Sequence, residues 1–143
     1  KLKPTRNPHR DWAARTLTHG SRPKDEMPAI IASADICIAV LMKSETFKTV
    51  YPNKVFDYMA CQKPVIVAID GMIRTLLEEQ DAGIFVEPEN ERSVANGILA
   101  LVSDANRAKQ LGMNGRKFVV SDFDRTVMAG RYASLLMILE NKG

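Results

Sequence analysis

The sequence predicts an α/β fold, a Rossmann-like parallel sheet with helices on both faces and a helical C-terminus. Three observations carry this expectation. The runs ADICIAVL, KPVIVAI and GIFVEP are short, almost wholly apolar and bounded by polar residues, as strands buried on both faces are. Between them lie amphipathic segments with short connections, the alternation that builds parallel sheets. After the third run the chain reads as helix alone.

Taken in order, the polar start KLKPTRNPHRDW is expected to be poorly ordered over residues 1–13, and its first residue, Lys1, suggests a processed or truncated piece. ARTLTHG reads as a short strand over 14–18, closed by Gly20, and would bring the sheet to about four strands. A helix follows over Lys24 to Ser33, with Asp25 and Glu26 in its first turn, where carboxylates offset the helix dipole. The strand Asp35–Leu41 leads to a loop, Lys43 to Asn53, and then to a helix from about Asn53 to Cys61. After the strand KPVIVAI, GMIRTLLEEQDAG is a helix stopped by Gly83, and Pro88 ends the strand GIFVEP. ERSVANGILALVSD and ANRAKQLGMNGRKFVVSD are helices. The last helix, 121–139, carries Phe123, Val127, Met128, Tyr132, Leu135, Leu136 and Leu139 as an apolar stripe and is expected to pack. No repeat or linker divides residues 1–143, so one domain is expected.

Composition excludes several function classes. The net charge of +3 is spread among acids rather than gathered in a block, which gives no footprint for nucleic acid. Apolar runs fall well short of the roughly 20 residues of a membrane-spanning helix. Cys37 and Cys61 lie in apolar runs at a spacing that fits neither zinc nor a redox pair, so reduced, buried thiols and a cytoplasmic setting are expected. His9 and His19 have no companions at ligand spacing, so no metal site is expected. No GxGxxG follows a strand, which weakens a nicotinamide-binding reading.

In parallel sheets, ligands bind where strand carboxyl ends meet loops and helix N-termini. The stretch YPNKVFDYMACQKPVIVAID holds the most suitable groups. Pro52 suits a first helical turn. Val55, Phe56, Met59 and Ala60 form the packing side, while Asn53, Lys54 and Asp57 share the neighbouring one. First-turn amides with the Lys54 ammonium suit a phosphate, and a carboxylate one turn on suits the hydroxyls of a ribose. The competing account is a surface ion pair between Lys54 and Asp57 worth a few tenths of a kcal/mol, about 0.2–0.5. Arg22 and Lys24 are either nucleotide contacts or solvated loop charges, and Arg74 stands under the same alternative.

With its surroundings this stretch resembles the donor-binding domain of the group 1, or family 4, retaining glycosyltransferases, in the version of some bacterial surface-polysaccharide enzymes. LTHGSRPKDEMPAIIASADICIAVL is similar to the family's strand, glycine, loop, short helix and "ADV" strand. YPNKVFDYMACQKPVIVAIDG resembles its "EAMACGKPVIA" block, DAGIFVEPENERSVANGILALVSD its "GLLVPPGDPEALAEAI" block, and GRKFVVSDFDRTVMAGRYASLL its terminal helices. The resemblance implies a GT-B architecture, of which this chain is part of the C-terminal domain. It also implies a nucleotide-sugar donor and a saccharide or lipid-linked acceptor bound through an N-terminal domain outside the chain. No cofactor, no metal and no nucleic acid partner is implied, and the setting is the cytoplasm or the inner membrane face.

By residue, the resemblance implies that Asn53 and Lys54 hold the diphosphate and Asp57 the ribose. Thr49, Glu45, Gly20 and Arg22 are candidate sugar or base contacts. The family's first acid, eight residues before the second, falls on Thr49, so the residue that meets the sugar ring is open and no catalytic residue is assigned. Gln62 stands where the family has a glycine in a left-handed helix cap. Two strand and helix units expected before residue 14 are absent from the sequence, so strand 14–18 is expected to be displaced, to pair with another molecule or to depend on polypeptide outside the given sequence. A non-catalytic Rossmann-like regulatory or interaction module is the alternative, supported by Thr49.

Overall fold

A computed structural model describes residues 20–140. Three strands, β1 (Cys37–Val40), β2 (Val65–Ala68) and β3 (Gly83–Phe85), form one parallel sheet in that order. The register pairs Cys37 with Val65 and Val65 with Gly83. Among the described residues seven helices surround it: α1 (Met27–Ala32), α2 (Glu45–Lys48), α3 (Asn53–Ala60), α4 (Met72–Glu79), α5 (Glu91–Ser103), α6 (Ala105–Asp122) and α7 (Arg125–Glu140). The expected strand 14–18 and the disorder expected of 1–13 lie outside the described residues.

Alternation along β2 divides the core into two layers, because successive side chains of a strand point to opposite faces. Val65, Val67 and Ile69 pack with Val55 and Met59 of α3 and Ile73 and Leu77 of α4. Ile66 and Ala68 face the other way, onto Leu101 of α5 and Leu111 of α6. Both faces of β2 are therefore closed, which is why all four of its residues are buried and its sequence is uninterruptedly apolar.

Several expectations are corrected at element ends. The first helix starts at Met27, not Lys24, because Pro23 to Glu26 form a turn, with Glu26 N–H donating to the Pro23 carbonyl at 3.2 Å; Asp25 and Glu26 precede the helix. The loop 43–53 contains the helical turn α2, whose start is capped by Ser44 accepting from Thr46 N–H. Pro52 is extended (ψ 119°) and caps α3 rather than lying in its first turn. α4 ends at Glu79, followed by Asp81 at φ +47°, so Gly83 opens β3 instead of stopping a helix. Cys37 is buried, whereas Cys61 is only half-buried.

The C-terminal helix is present over Arg125–Glu140, but no residue of it is buried. Phe123 leaves the expected stripe: it ends α6 and its ring lies 4.7 Å from Phe56 and 5.3 Å from Phe118. Of the rest of the stripe Val127 is half-buried and Met128, Tyr132, Leu135, Leu136 and Leu139 are exposed, so the packing expected of this helix is not found among the described residues.

Candidate functional site

The sheet ends in three loops, after β1, β2 and β3, and the site is built from them and from the start of α3. α3 is held by its packing side as expected, with Val55 and Met59 fully buried and Phe56 and Ala60 half-buried. Tyr51 sits edge-on to Phe56, with ring centres 6.0 Å apart, and this fixes the entry of the chain into the helix. Asn53 and Asp57 are exposed and Lys54 is half-buried. The Lys54 ammonium donates to the carbonyl of Val40, the last residue of β1, at 3.4 Å. That bond draws the cation to the carboxyl end of the strand. No ion pair joins Lys54 to Asp57 among the described residues, so the carboxylate is not held by its neighbour.

The other predicted residues are dispersed. Gly20, in the left-handed region at φ +62°, has open space around it. Arg22 pairs with Glu26 at 3.6 Å. Thr49 turns its hydroxyl inward, donating to the Thr46 carbonyl at 3.2 Å. Glu45 pairs with Lys48 at 2.7 Å with its own side chain 88% exposed. The structure thus brings Asn53, Lys54 and Asp57 onto one helix start, and does not bring Gly20, Arg22, Thr49 or Glu45 into hydrogen bonds with them.

A cavity of about 420 Å³ opens at the strand ends. It is lined by 41–45, 47 and 48 from the loop after β1, by Ile69 and Asp70 after β2, and by Phe85, Glu87 and Pro88 after β3. Of the predicted residues only Glu45 reaches it. Lys43, Asp70 and Glu87 were missed because each lies in a different loop; the signal for them was their position just past a buried strand. Lys43 ties two loops together, its ammonium 3.0 Å from Glu87 and its backbone N–H donating to Glu89 at 3.0 Å. The hydrogen bond to Glu87 raises the Lys43 pKa, and the bond to Glu45 does the same for Lys48, so both remain charged. Arg74 bonds Glu78 at 2.9 Å and Asp70 at 3.4 Å, and its guanidinium lies 4.1 Å over the ring of Phe85. It holds two of the lining residues, Asp70 and Phe85, from behind rather than standing as a free loop charge.

The floor of the α2 loop depends on Gly71. Its backbone, φ +100° and ψ −146°, is open to glycine alone, and a Cβ there would lie 2.3 Å from the Lys48 carbonyl. Contact with Gly71 therefore seats α2 beside the cavity. Among the described residues no group of three or more His, Cys, Asp or Glu could hold a metal ion, and no helix is long and apolar enough to cross a membrane.

A parallel sheet with a cation at a helix start, an exposed carboxylate one turn later and a polar cavity at the strand ends has the layout in which α/β domains bind ligands. The family model of the group 1 glycosyl transferases matches residues 3–104, and the chain belongs to that family. A D-inositol 3-phosphate glycosyltransferase from Salinispora tropica is 28% identical over 104 residues, 72% of this chain and 20% of that protein. Sucrose-phosphate synthase from Thermosynechococcus elongatus aligns with a TM-score of 0.77 at 21% identity, over 94% of this chain and 33% of its own. Anabaena HepE in complex with UDP-glucose aligns with a TM-score of 0.70 at 22% identity, over 90% of this chain and 35% of its own. These likenesses show a Rossmann-like fold of the GT-B kind, and the chain spans a fifth to about a third of these relatives.

Proposed function

We propose that this chain is the donor-binding part of a retaining glycosyltransferase of family 4, moving a sugar from a nucleotide-sugar to a saccharide or lipid-linked acceptor. The observation that carries the reading is the start of α3: Lys54 lies at the carboxyl end of β1, and Asp57 is exposed one turn later on the same side. In this reading Lys54, Asn53 and the free first-turn amides stabilise the diphosphate, which is the leaving group, so their contribution is electrostatic. Asp57 accepts hydrogen bonds from the two ribose hydroxyls. No metal is needed, because the cation and the helix N-terminus supply the positive charge. HepE, whose structures hold UDP and UDP-glucose, supports a uridine nucleotide as the first donor to try. Acceptor binding, a surface-polysaccharide product, work at the cytoplasmic membrane face and self-association through strand 14–18 belong to the same proposal.

The test is calorimetric titration of UDP, GDP and ADP sugars into the chain and into its Asp57→Ala form. The substitution is expected to weaken binding at least about tenfold, the low end for a single hydrogen bond to a charged group. Unchanged affinity would remove Asp57 from the ribose role. One observation favours a second reading, a non-catalytic module: Thr49 commits its hydroxyl proton to the Thr46 carbonyl and brings no carboxylate to a sugar ring. Absence of binding for all three donors supports that reading instead.

A further inference from the structure

A second cavity, of about 450 Å³, lies at the amino ends of the strands, the opposite end of the sheet from the start of α3. It opens where the chain enters β1 and β2 and where α5 gives way to α6. Ile36, Pro64, Leu101, Val102 and Ala108 make its wall aliphatic, and Val102 is 66% exposed. Its charged residues are Lys63 and Lys109 against a single carboxylate, Asp35. Among the described residues none of these three makes an ion pair, whereas Lys43, Lys48 and Asp70 at the carboxyl ends are tied to partners. An anion therefore meets net attraction here, from cations that give up no ion pair to receive it. Gln62 lines the same cavity and is held at φ +59°, where the family resemblance implies glycine, so this chain keeps a side chain at a costly backbone position. Its N–H donates to the Met59 carbonyl at 2.9 Å, and Gly112 of α6 lies close against its own carbonyl. The exposed side-chain amide thus starts from a fixed point on the rim.

We propose that this cavity binds an amphipathic anion, its aliphatic body against Leu101 and Val102 and its carboxylate or phosphate accepting from Lys63, Lys109 and the Gln62 amide. The body is aliphatic because no aromatic ring lines the cavity among the described residues, which leaves nothing to stack on a flat ligand. Such an anion is either free in solution or an acidic lipid met at a bilayer surface. The cavity shares no residue with Asn53, Lys54 and Asp57, so the proposal stands apart from the donor reading.

Calorimetric titration of octanoate and of octanol into the 143-residue chain at pH 7 is the test. Octanoate is expected to bind at least about tenfold more tightly than octanol, because only the anion engages the lysines. Replacing both, Lys63→Gln with Lys109→Gln, is expected to weaken octanoate about tenfold and to leave octanol unchanged. Asp35→Asn removes the repelling charge and is expected to tighten octanoate about two- to fivefold, a gain that damage to the fold does not produce. Gln62→Gly is expected to weaken octanoate about fivefold while raising the urea midpoint, so that lost binding is separated from lost stability. Sedimentation with vesicles distinguishes the source. Retention on phosphatidylglycerol and not on phosphatidylcholine, abolished in the double lysine variant, assigns a bilayer lipid; octanoate binding without retention assigns a free anion. The proposal is overturned if neither octanoate nor acidic vesicles bind, if octanol binds as tightly as octanoate, or if the lysine, Asp35 and Gln62 variants leave the affinity for the anion unchanged.

Discussion

Gln62 stands at φ +59°, in the left-handed region that costs a residue with a side chain roughly 1–2 kcal/mol. It follows α3 at the cap position where the family resemblance implies a glycine, so the position is legible in the sequence. Replacement by glycine removes the strain but adds disorder to the unfolded chain, an offset of about 0.4–1 kcal/mol. Gln62→Gly is therefore expected to raise stability by about 0.5–1 kcal/mol, read as a higher urea midpoint at constant m-value. Other residues were legible for a different reason. Asn53, Lys54 and Asp57 lie within five positions of one another, and helix geometry alone puts them on one side. Lys43, Asp70 and Glu87 are brought together only by the order of three strands, and no local spacing marks them.

At the scale of elements, the three strands are legible because burial on both faces leaves an unbroken apolar run, and so are the helices between them except the single turn α2, which reads as loop. Element ends are not legible in this way, because those are settled by hydrogen bonds made after packing. Pro52 satisfies the rule for a first helical turn, yet its ψ of 119° makes it the cap. The packing of α6 on α3 was also hidden. Gly112 is buried, and a Cβ on it would lie 2.3 Å from the Gln62 carbonyl, backbone that cannot move aside as a side chain would. Gly112→Ala gains up to about 1 kcal/mol of helix propensity but forces the two helices apart, an overpacking cost of about 1–3 kcal/mol. A net loss of about 1–2 kcal/mol is expected in thermal or chemical unfolding. Met113, next to it on α6, points outward at 45% exposure, and its replacement by alanine is expected to change stability by less than about 0.5 kcal/mol.

Over the whole molecule, stability is unevenly distributed, and acid should expose the difference. α7 has no buried residue, so its attachment rests on the junction with α6. There Asp122 accepts from Ser121 and, at 2.9 Å, from Arg131 of α7, while Asp124 accepts from Thr126 N–H at 2.8 Å at the start of that helix. Those hydrogen bonds hold both carboxyls below the usual aspartate pKa of 3.8. A third aspartate, Asp81, is lowered by its hydrogen bonds to Arg107, one of them 2.7 Å, which join the turn after α4 to α6. A carboxylate whose folded pKa lies below its unfolded value adds stability that is complete above the unfolded value and disappears as pH falls through the folded one. The loss is therefore expected below about pH 4 and not between pH 5 and 8. Two of the three groups anchor α7, which has no core contacts to fall back on, so acid should release that helix before the sheet opens. Amide hydrogen exchange at pH 7 is expected to show least protection over 125–140 and most over β2, whose residues are fully buried. Asp124→Asn keeps an oxygen that can accept from the Thr126 amide while removing the titrating group. It is expected to leave the helix in place at pH 7 and to reduce the pH dependence of the first, helix-releasing step; an acid profile unchanged in that variant would show that Asp124 does not govern the release.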